Sequence, residues 1–447
     1  VSNTIEKAEQ ELNSPLLQKR KDALQVIAEA YKNGVIEFGK NEEVNNHVHT
    51  MFSFSPYSPA GAVYGAKKAG LQAVGLMDHD SIAGGNEFLE AASLLGIGST
   101  TGFEIRVSFK DTPFGDHRLN NPDSTGIAYM AVHGIPQKNF AKAQKFLSPV
   151  REARNNRNRA QVDKLNILMK EWGLSRIDFE KDVYGISQAA AGGSITERHI
   201  LFAAAEKITA TFGRGKKVAE FLKSAAKVEL SDKAERHLSD PDNPHYLYDL
   251  LGTLKINVLP RFFIQPNEEE CLPVKAVVDF ALQIKGIPTY SYLGDVGESP
   301  TGDKKAQKFE DSYIEQLFPV LKELGFKAVT YMPPRNTKEQ LSRVISLCGM
   351  YGLMQISGVD INSSRQSFSC PEVLQDMFKH LNDSTWALIA HEKLTQYRDD
   401  YSLLDGNNRF SQLPLEERIK KYSGFGRILD LHKPVPGKEI LMEFTNG

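Results

Sequence analysis

Apolar residues in the first thirty positions recur with the spacing of a helix. Leu12, Leu16, Leu17, Leu24, Ile27, Ala28 and Tyr31 form one stripe that stops at Asn33-Gly34, which predicts one or two leading helices within residues 5–32. From about residue 42 the pattern changes to short apolar runs that end in polar residues: EVNNHVHT, LQAVGLMDHD, GSTTGFEIRVSF and IAYMAVHG. Helical segments separate the early runs, SPAGAVYGAKKAG with Ser58 as N-cap and Pro59 at its first position, and then GGNEFLEAASLLG. Strands and helices in alternation, with chemistry at the carboxyl ends of the strands, predict an α/β barrel whose site gathers at that end.

Residues 110–126, rich in Pro, Gly, Asn and Asp, read as a long loop. Long charged helical segments follow, and the cluster Arg151, Arg154, Arg157 and Arg159 within them could bind phosphate or RNA but is expected rather on a solvated helix face. Strand grammar resumes in GIPTYSYLGD, FKAVTYMPP and GLMQISGVDIN, with helices between. The expected organisation is an N-terminal helical extension over 1–40, two parts of one barrel at 41–136 and 261–370, a helical insertion at 137–260, and C-terminal helices and loops at 371–447.

Composition narrows the partners. With 54 Lys and Arg against 56 Asp and Glu, the net charge of −2 provides no basic field for nucleic acid, which disfavours a nuclease role. No run approaches the roughly 18 apolar residues of a membrane span. The start of the chain is polar, without the apolar core of a signal peptide. Three widely spaced cysteines, Cys271, Cys348 and Cys370, suit neither a disulfide framework nor a thiolate zinc site, so a cytoplasmic protein is expected.

His47 and His49 are one residue apart on a strand, so both rings face the same side and can address one ion. Taken alone, such a pair is more often the wet face of an edge strand. Further along, Asp78, His79, Glu104, His133 and Asp360 also stand near strand ends. Asp78 and Asp360 could be turn caps, and Glu104 could pair with Arg106 on its own strand face. Five strand ends in a row delivering His, Asp or Glu point instead to a metal site.

NHVHT, VGLMDHDSIAG, GFEIRV, AVHGIP and ISGVDIN together resemble the PHP (polymerase and histidinol phosphatase) superfamily, and GGSITERHILFAAAEK resembles a segment of its stand-alone phosphoesterases with a helical insertion. The resemblance implies a PHP-type (β/α)7 barrel-like fold with one or two divalent ions, Zn, Mn or Fe. It assigns His47, His49, Glu104 and Asp360 to the first ion, with Glu104 bridging to a second. His133 falls to the second ion, while His79 and Asn362 fall at further ligand positions and Asp78 at an orienting one. Arg198, His199 and Arg365 become candidates for a substrate phosphate, on a lid formed by the insertion in the case of the first two.

The chain also departs from that pattern. Phe54 and Ser55 stand where an acid or histidine is usual, Tyr292 or Leu293 where a histidine is usual, and Asn362 replaces a final histidine. Asp295 and His391 are the candidates to stand in, His391 being expected rather as a structural histidine. The function implied is hydrolysis of a small phosphorylated molecule by metal-activated water. The rival is a degenerate PHP-fold protein that binds a ligand or partner without catalysis, and a C–N bond hydrolase ranks behind both.

Overall fold

The computed structural model describes residues 2–296 and 309–446; residues 297–308, which belong to the expected second part of the barrel, lie outside the described residues. Two leading helices, α1 (Ser2–Glu11) and α2 (Leu17–Lys32), precede the first barrel half. That half comprises β1 (Val44–Val48), α3 (Pro59–Lys68), β2 (Ala73–His79), α4 (Gly85–Leu95), β3 (Gly98–Ser108) and β4 (Ile127–His133). Ser58 caps α3 by accepting from the Gly61 N–H at 2.9 Å, with Pro59 next in line.

A helical block follows: α5 (Phe140–Glu171), α6 (Glu197–Phe212), α7 (Lys216–Ser224), α8 (Asp232–Ser239), α9 (Tyr246–Asn257) and α10 (Leu259–Phe262). It has an apolar core of its own, in which Leu165, Ile200, Leu201, Leu222, Leu250 and Phe262 are buried together. The barrel resumes with β5 (Leu272–Pro273), α11 (Val274–Gln283), β6 (Ile287–Ser291), α12 (Ile314–Leu324), β7 (Ala328–Tyr331), α13 (Lys338–Tyr351) and β8 (Met354–Ser357). The tail holds α14 (Lys379–Tyr397), α15 (Leu415–Ile428) and α16 (Lys438–Asn446).

The strands are ordered β1-β2-β3-β4-β6-β7-β8, with the short β5 paired to β3. A bridge between Val48 and Ile361 brings the segment after β8 back to β1, so the sheet closes almost fully into an α/β barrel. The strand residues are buried nearly throughout, as strands covered on both faces must be.

Two expectations need correction. β4 runs antiparallel to β3 and to β6, so the carboxyl end of β4 lies at the opposite end of the barrel from those of its neighbours. The second concerns the arginines of α5. Arg154 and Arg157 are buried rather than solvated, while Arg159 meets Glu180 at the surface and Arg151 donates to the Asp80 carbonyl at 2.8 Å. Arg154 binds Asp80 at 2.5 Å and Glu197 at 3.0 Å, and Arg157 binds Glu197 at 2.6 Å and Glu270 at 2.5 Å. Arg106 of β3 joins the same two glutamates. Three guanidinium groups thus face three carboxylates, and the helical block is fastened to the ends of β2 and β3 by a buried, charge-balanced network.

α14 packs against the amino end of the barrel. Its Thr385 and Glu392 take part in hydrogen bonds to Asn46 and Thr101, and its Ile389 lies against Gly98 and Ala387 beside Ala73 and Val44. Among the described residues no helix is long and apolar enough to cross a membrane.

Candidate metal centre

Asn45 fixes the geometry of the two histidines of β1. Its side chain accepts from the Val359 N–H and donates to the Val359 carbonyl, both at 2.9 Å, and also accepts from the His47 N–H at 3.0 Å. The register against β2 slips between Asn45 and Val48. Main-chain bonds from His49 N–H to the Ile361 carbonyl (2.9 Å) and from Ile361 N–H to the His47 carbonyl (3.2 Å) then set Asp360 beside the pair. Gly358 is required there, since a Cβ at that position would come within 2.7 Å of the His47 Cβ.

The ligating atoms of His47, His49 and Glu104 all lie within 4.8 Å of one another. His47 Nε2 is 3.9 Å from Glu104 Oε1, and His79 Nδ1 is 3.0 Å from Glu104 Oε2. His49 Nε2 is 3.3 Å from Asp360 Oδ1, and its ring stacks loosely on His79 at 4.6 Å. β2 and β3 pair His79 directly with Glu104, which places both on one face.

Electrostatics divides these groups. Burial, reinforced by His49 and Arg154, holds His79 well below the usual histidine range. Burial likewise lowers His47, although Glu104 opposes it. For His49 burial is outweighed by Asp360, so His49 is raised, and Asp360 is depressed against its own burial by the same contact.

His133 is also buried, at the far end of antiparallel β4, where it pairs with Ile287, the first residue of β6. Burial and the neighbouring His47 push it down to about 3. The Nε2 atoms of His49 and His133 are both buried without a hydrogen-bond partner. A neutral, unpartnered imidazole nitrogen is the form that binds a metal, and imidazole with carboxylate suits Zn²⁺, Mn²⁺ or Fe²⁺. The donor set present fits such an ion.

Asn362 is placed differently from a ligand. Its Nδ2 donates to Asp360 Oδ1 at 2.6 Å, while its Oδ1 and carbonyl accept from Arg198 at 2.5 and 3.0 Å. The amide oxygen is taken by the guanidinium. Arg198 also lies over the Phe54 ring at 5.2 Å, and His199 meets that ring edge-on at 4.9 Å. His199 Nδ1 accepts from the Thr196 N–H at 3.1 Å, completing the cap of α6, and burial pushes the ring down to about 3. Arg365 grips Asp249 of α9 with two contacts of 2.5 and 2.7 Å. Arg198, Tyr248, Asn362 and Arg365 border a cleft of about 970 Å³.

The substituted positions bring no ligand. Phe54, with φ of 83°, forms the wall under Arg198. Tyr292 hydrogen-bonds Asp311 at 2.5 Å, and Asp295 caps the turn at 309–311 through three backbone N–H groups. His391 lies at the other end of the barrel, where its Nδ1 accepts from Leu403 N–H and its Nε2 faces the carbonyls of Gly134 and Lys285. Neither Asp295 nor His391 stands in for a missing ligand. Glu104 pairs with histidines, not with Arg106.

Asp78 turns away from the cluster and accepts from Thr50 N–H, Thr50 Oγ1 and Ser53 Oγ at 2.7, 2.6 and 2.6 Å. Sequence reasoning missed Thr50, Ser53 and also Tyr129, whose ring lies 5.8 Å from that of His79. For Ser53 a signal existed, a small polar residue four positions after His49 in the turn.

Residues 45–210 match the family model of the PHP domain, from within β1 into α6. No curated protein matches in sequence. Among solved structures, an amidohydrolase from Chromobacterium violaceum with bound sulfate and no metal is 16% identical over 72% of this chain and 89% of its own, with a TM-score of 0.46. A Bifidobacterium adolescentis protein named as a metal-dependent phosphoesterase is 18% identical over 72% and 88%, with a TM-score of 0.48. His47, His49, His79, Glu104 and His133 all fall inside the stretch that matches the PHP domain model, and Asp360 falls outside it.

Proposed function

We propose that the protein is a metal-dependent hydrolase that cleaves a small phosphoester. The reading rests on Glu104, whose two oxygens address His47 on one side and His79 on the other, at 3.9 and 3.0 Å. A carboxylate so placed suits a bridge between two ions. His47, His49, Glu104 and Asp360 would hold the first ion, Glu104 with His79 or His133 the second. Divalent ions bound there supply water activation and offset the charge that develops on phosphoryl oxygens.

The chain's own residues set the rest. Asp360 stays ionised beside His49. Arg198 presents a guanidinium beside Asp360 that can exchange its Asn362 contacts for a phosphate oxygen. His199 holds the start of α6 in place through its capping bond. The adjoining cleft has the volume of a small-molecule site, and its polar border suits a polar leaving group.

The binding-only alternative is favoured by Phe54, Tyr292 and Asn362, which replace ligands expected of the family. Metal content of the purified protein, measured alongside turnover of a panel of phosphoesters and amides in Mn²⁺ and Zn²⁺, separates the readings. Bound metal with phosphoester turnover supports the proposal. Bound metal with amide turnover alone moves the reaction class, and absence of both metal and turnover leaves the binding protein.

A further inference from the structure

The turn that follows the β1 histidines holds a hydroxyl with two neighbours. Ser53 is buried, and its Oγ lies 2.6 Å from Asp78 Oδ1 and 3.2 Å from His49 Nδ1. The same Asp78 oxygen accepts the Thr50 N–H at 2.7 Å, while the other accepts the Thr50 hydroxyl at 2.6 Å.

A serine hydroxyl has one proton to give. The shorter contact is to a carboxylate oxygen that is already accepting an N–H, so the serine proton points at Asp78. Only lone pairs then face His49, and that contact is a hydrogen bond when Nδ1 carries the imidazole proton. A neutral His49 protonated at Nδ1 is bare at Nε2. Nε2 then faces Asp360 Oδ1 at 3.3 Å, so that a cation can sit between the imidazole nitrogen and the carboxylate.

We propose that Ser53 is a positioning residue that relays Asp78 to His49, fixes the Nδ1–H tautomer and so presents Nε2 to the metal. This deepens the metal-site reading above and rests on it. Metal-binding histidines commonly donate their second N–H to a carboxylate or carbonyl; here a hydroxyl is interposed. A serine serving only the turn would be satisfied by Asp78 alone, and the second contact exceeds that need.

The test reads the tautomer directly. Long-range ¹H–¹⁵N spectra of metal-free protein labelled at histidine, taken above the pH at which the His49 signals cease to titrate, should show His49 as Nδ1–H. Ser53→Ala should convert it to Nε2–H or a mixture. Thr50→Val removes a different donor to Asp78 without touching His49 and should keep Nδ1–H. Calorimetric titration with Zn²⁺ should show Ser53→Ala binding about 10–100-fold more weakly, with unchanged circular dichroism. A wild-type Nε2–H tautomer, an unchanged tautomer in Ser53→Ala, or an equal change in Thr50→Val overturns the relay. A Ser53-dependent tautomer in a protein that takes up no Zn²⁺ overturns the metal reading instead, so the two failures are distinguishable.

Discussion

His79 Nδ1 lies 3.0 Å from Glu104 Oε2, and the paired registers of β2 and β3 make the two residues direct neighbours. With Glu104 also facing His47, one carboxylate serves both sides of the cluster. Glu104→Gln keeps the shape and removes the charge. Metal content measured by atomic emission should fall, and affinity should drop by about 100-fold or more, since changes behind a ligand already cost roughly 10–100-fold. His49→Ala should do the same with the fold retained. Unchanged stoichiometry in either variant would remove the metal centre.

Arg198 donates to Asn362, which in turn donates to Asp360, and its guanidinium charge helps to keep Asp360 ionised, but it is not itself one of the proposed ligands. Arg198→Ala is expected to keep bound metal and lower kcat/KM for a phosphoester by roughly 10–100-fold, the scale of about 1.5–3 kcal/mol for a hydrogen bond to a charged group. Loss of metal in this variant would show that Arg198 supports Asp360 rather than substrate.

The histidine pair was legible because alternate residues of a strand share a face, and the strand ends beyond it because runs such as AVGLM and IAYMAV are apolar up to the residues that carry the chemistry. The direction of β4 was not, since IAYMAVHG reads the same in a parallel or an antiparallel pairing. That ambiguity concealed where His133 enters the barrel. The arginines of α5 were misjudged for another reason. Charges at spacings of three look like a solvated stripe unless the partners are known, and Glu270 stands 113 residues from Arg157. α14 resisted placement because it is buried on several sides, with Thr385, Ala387, Leu388, Ile389, Ala390 and His391 all enclosed, which erases the amphipathic signal.

His391 gives a pH dependence of known sign. Burial pushes it down to about 4, while its carbonyl contacts to Lys285 and Gly134 oppose the shift. A histidine depressed in the folded state contributes stability that is complete above its unfolded value near 6.5 and is lost as pH falls toward 4. Each such group adds a slope of about 1.4 kcal/mol per pH unit in that window. His133 and His199, both down to about 3, act in the same direction. Urea unfolding at intervals from pH 7.5 to 4.5 should therefore show a steep acid loss, and His391→Gln should flatten it by about one proton while lowering stability at neutral pH. An equal slope in the variant would mean that His391 is not held neutral.

Glu270 tests whether the helical block is fastened to the barrel or merely rests on it. It is 2% exposed and lies between Arg106 and Arg157, fully enclosed within the network. Removing its charge leaves three buried guanidinium groups against two carboxylates. Breaking a buried pair from one side costs about 3–5 kcal/mol, because the remaining charge is desolvated without compensation. Glu270→Gln is thus expected to lose that much in urea unfolding, whereas Arg159→Ala, which ends an exposed pair with Glu180, should change stability by about 1 kcal/mol or less. Proteolysis of Glu270→Gln should cut first within residues 137–270, since the block loses its attachment to β2 and β3 before the barrel opens. Equal small losses in both variants would mean that the network is solvated and that the block moves freely over the cleft.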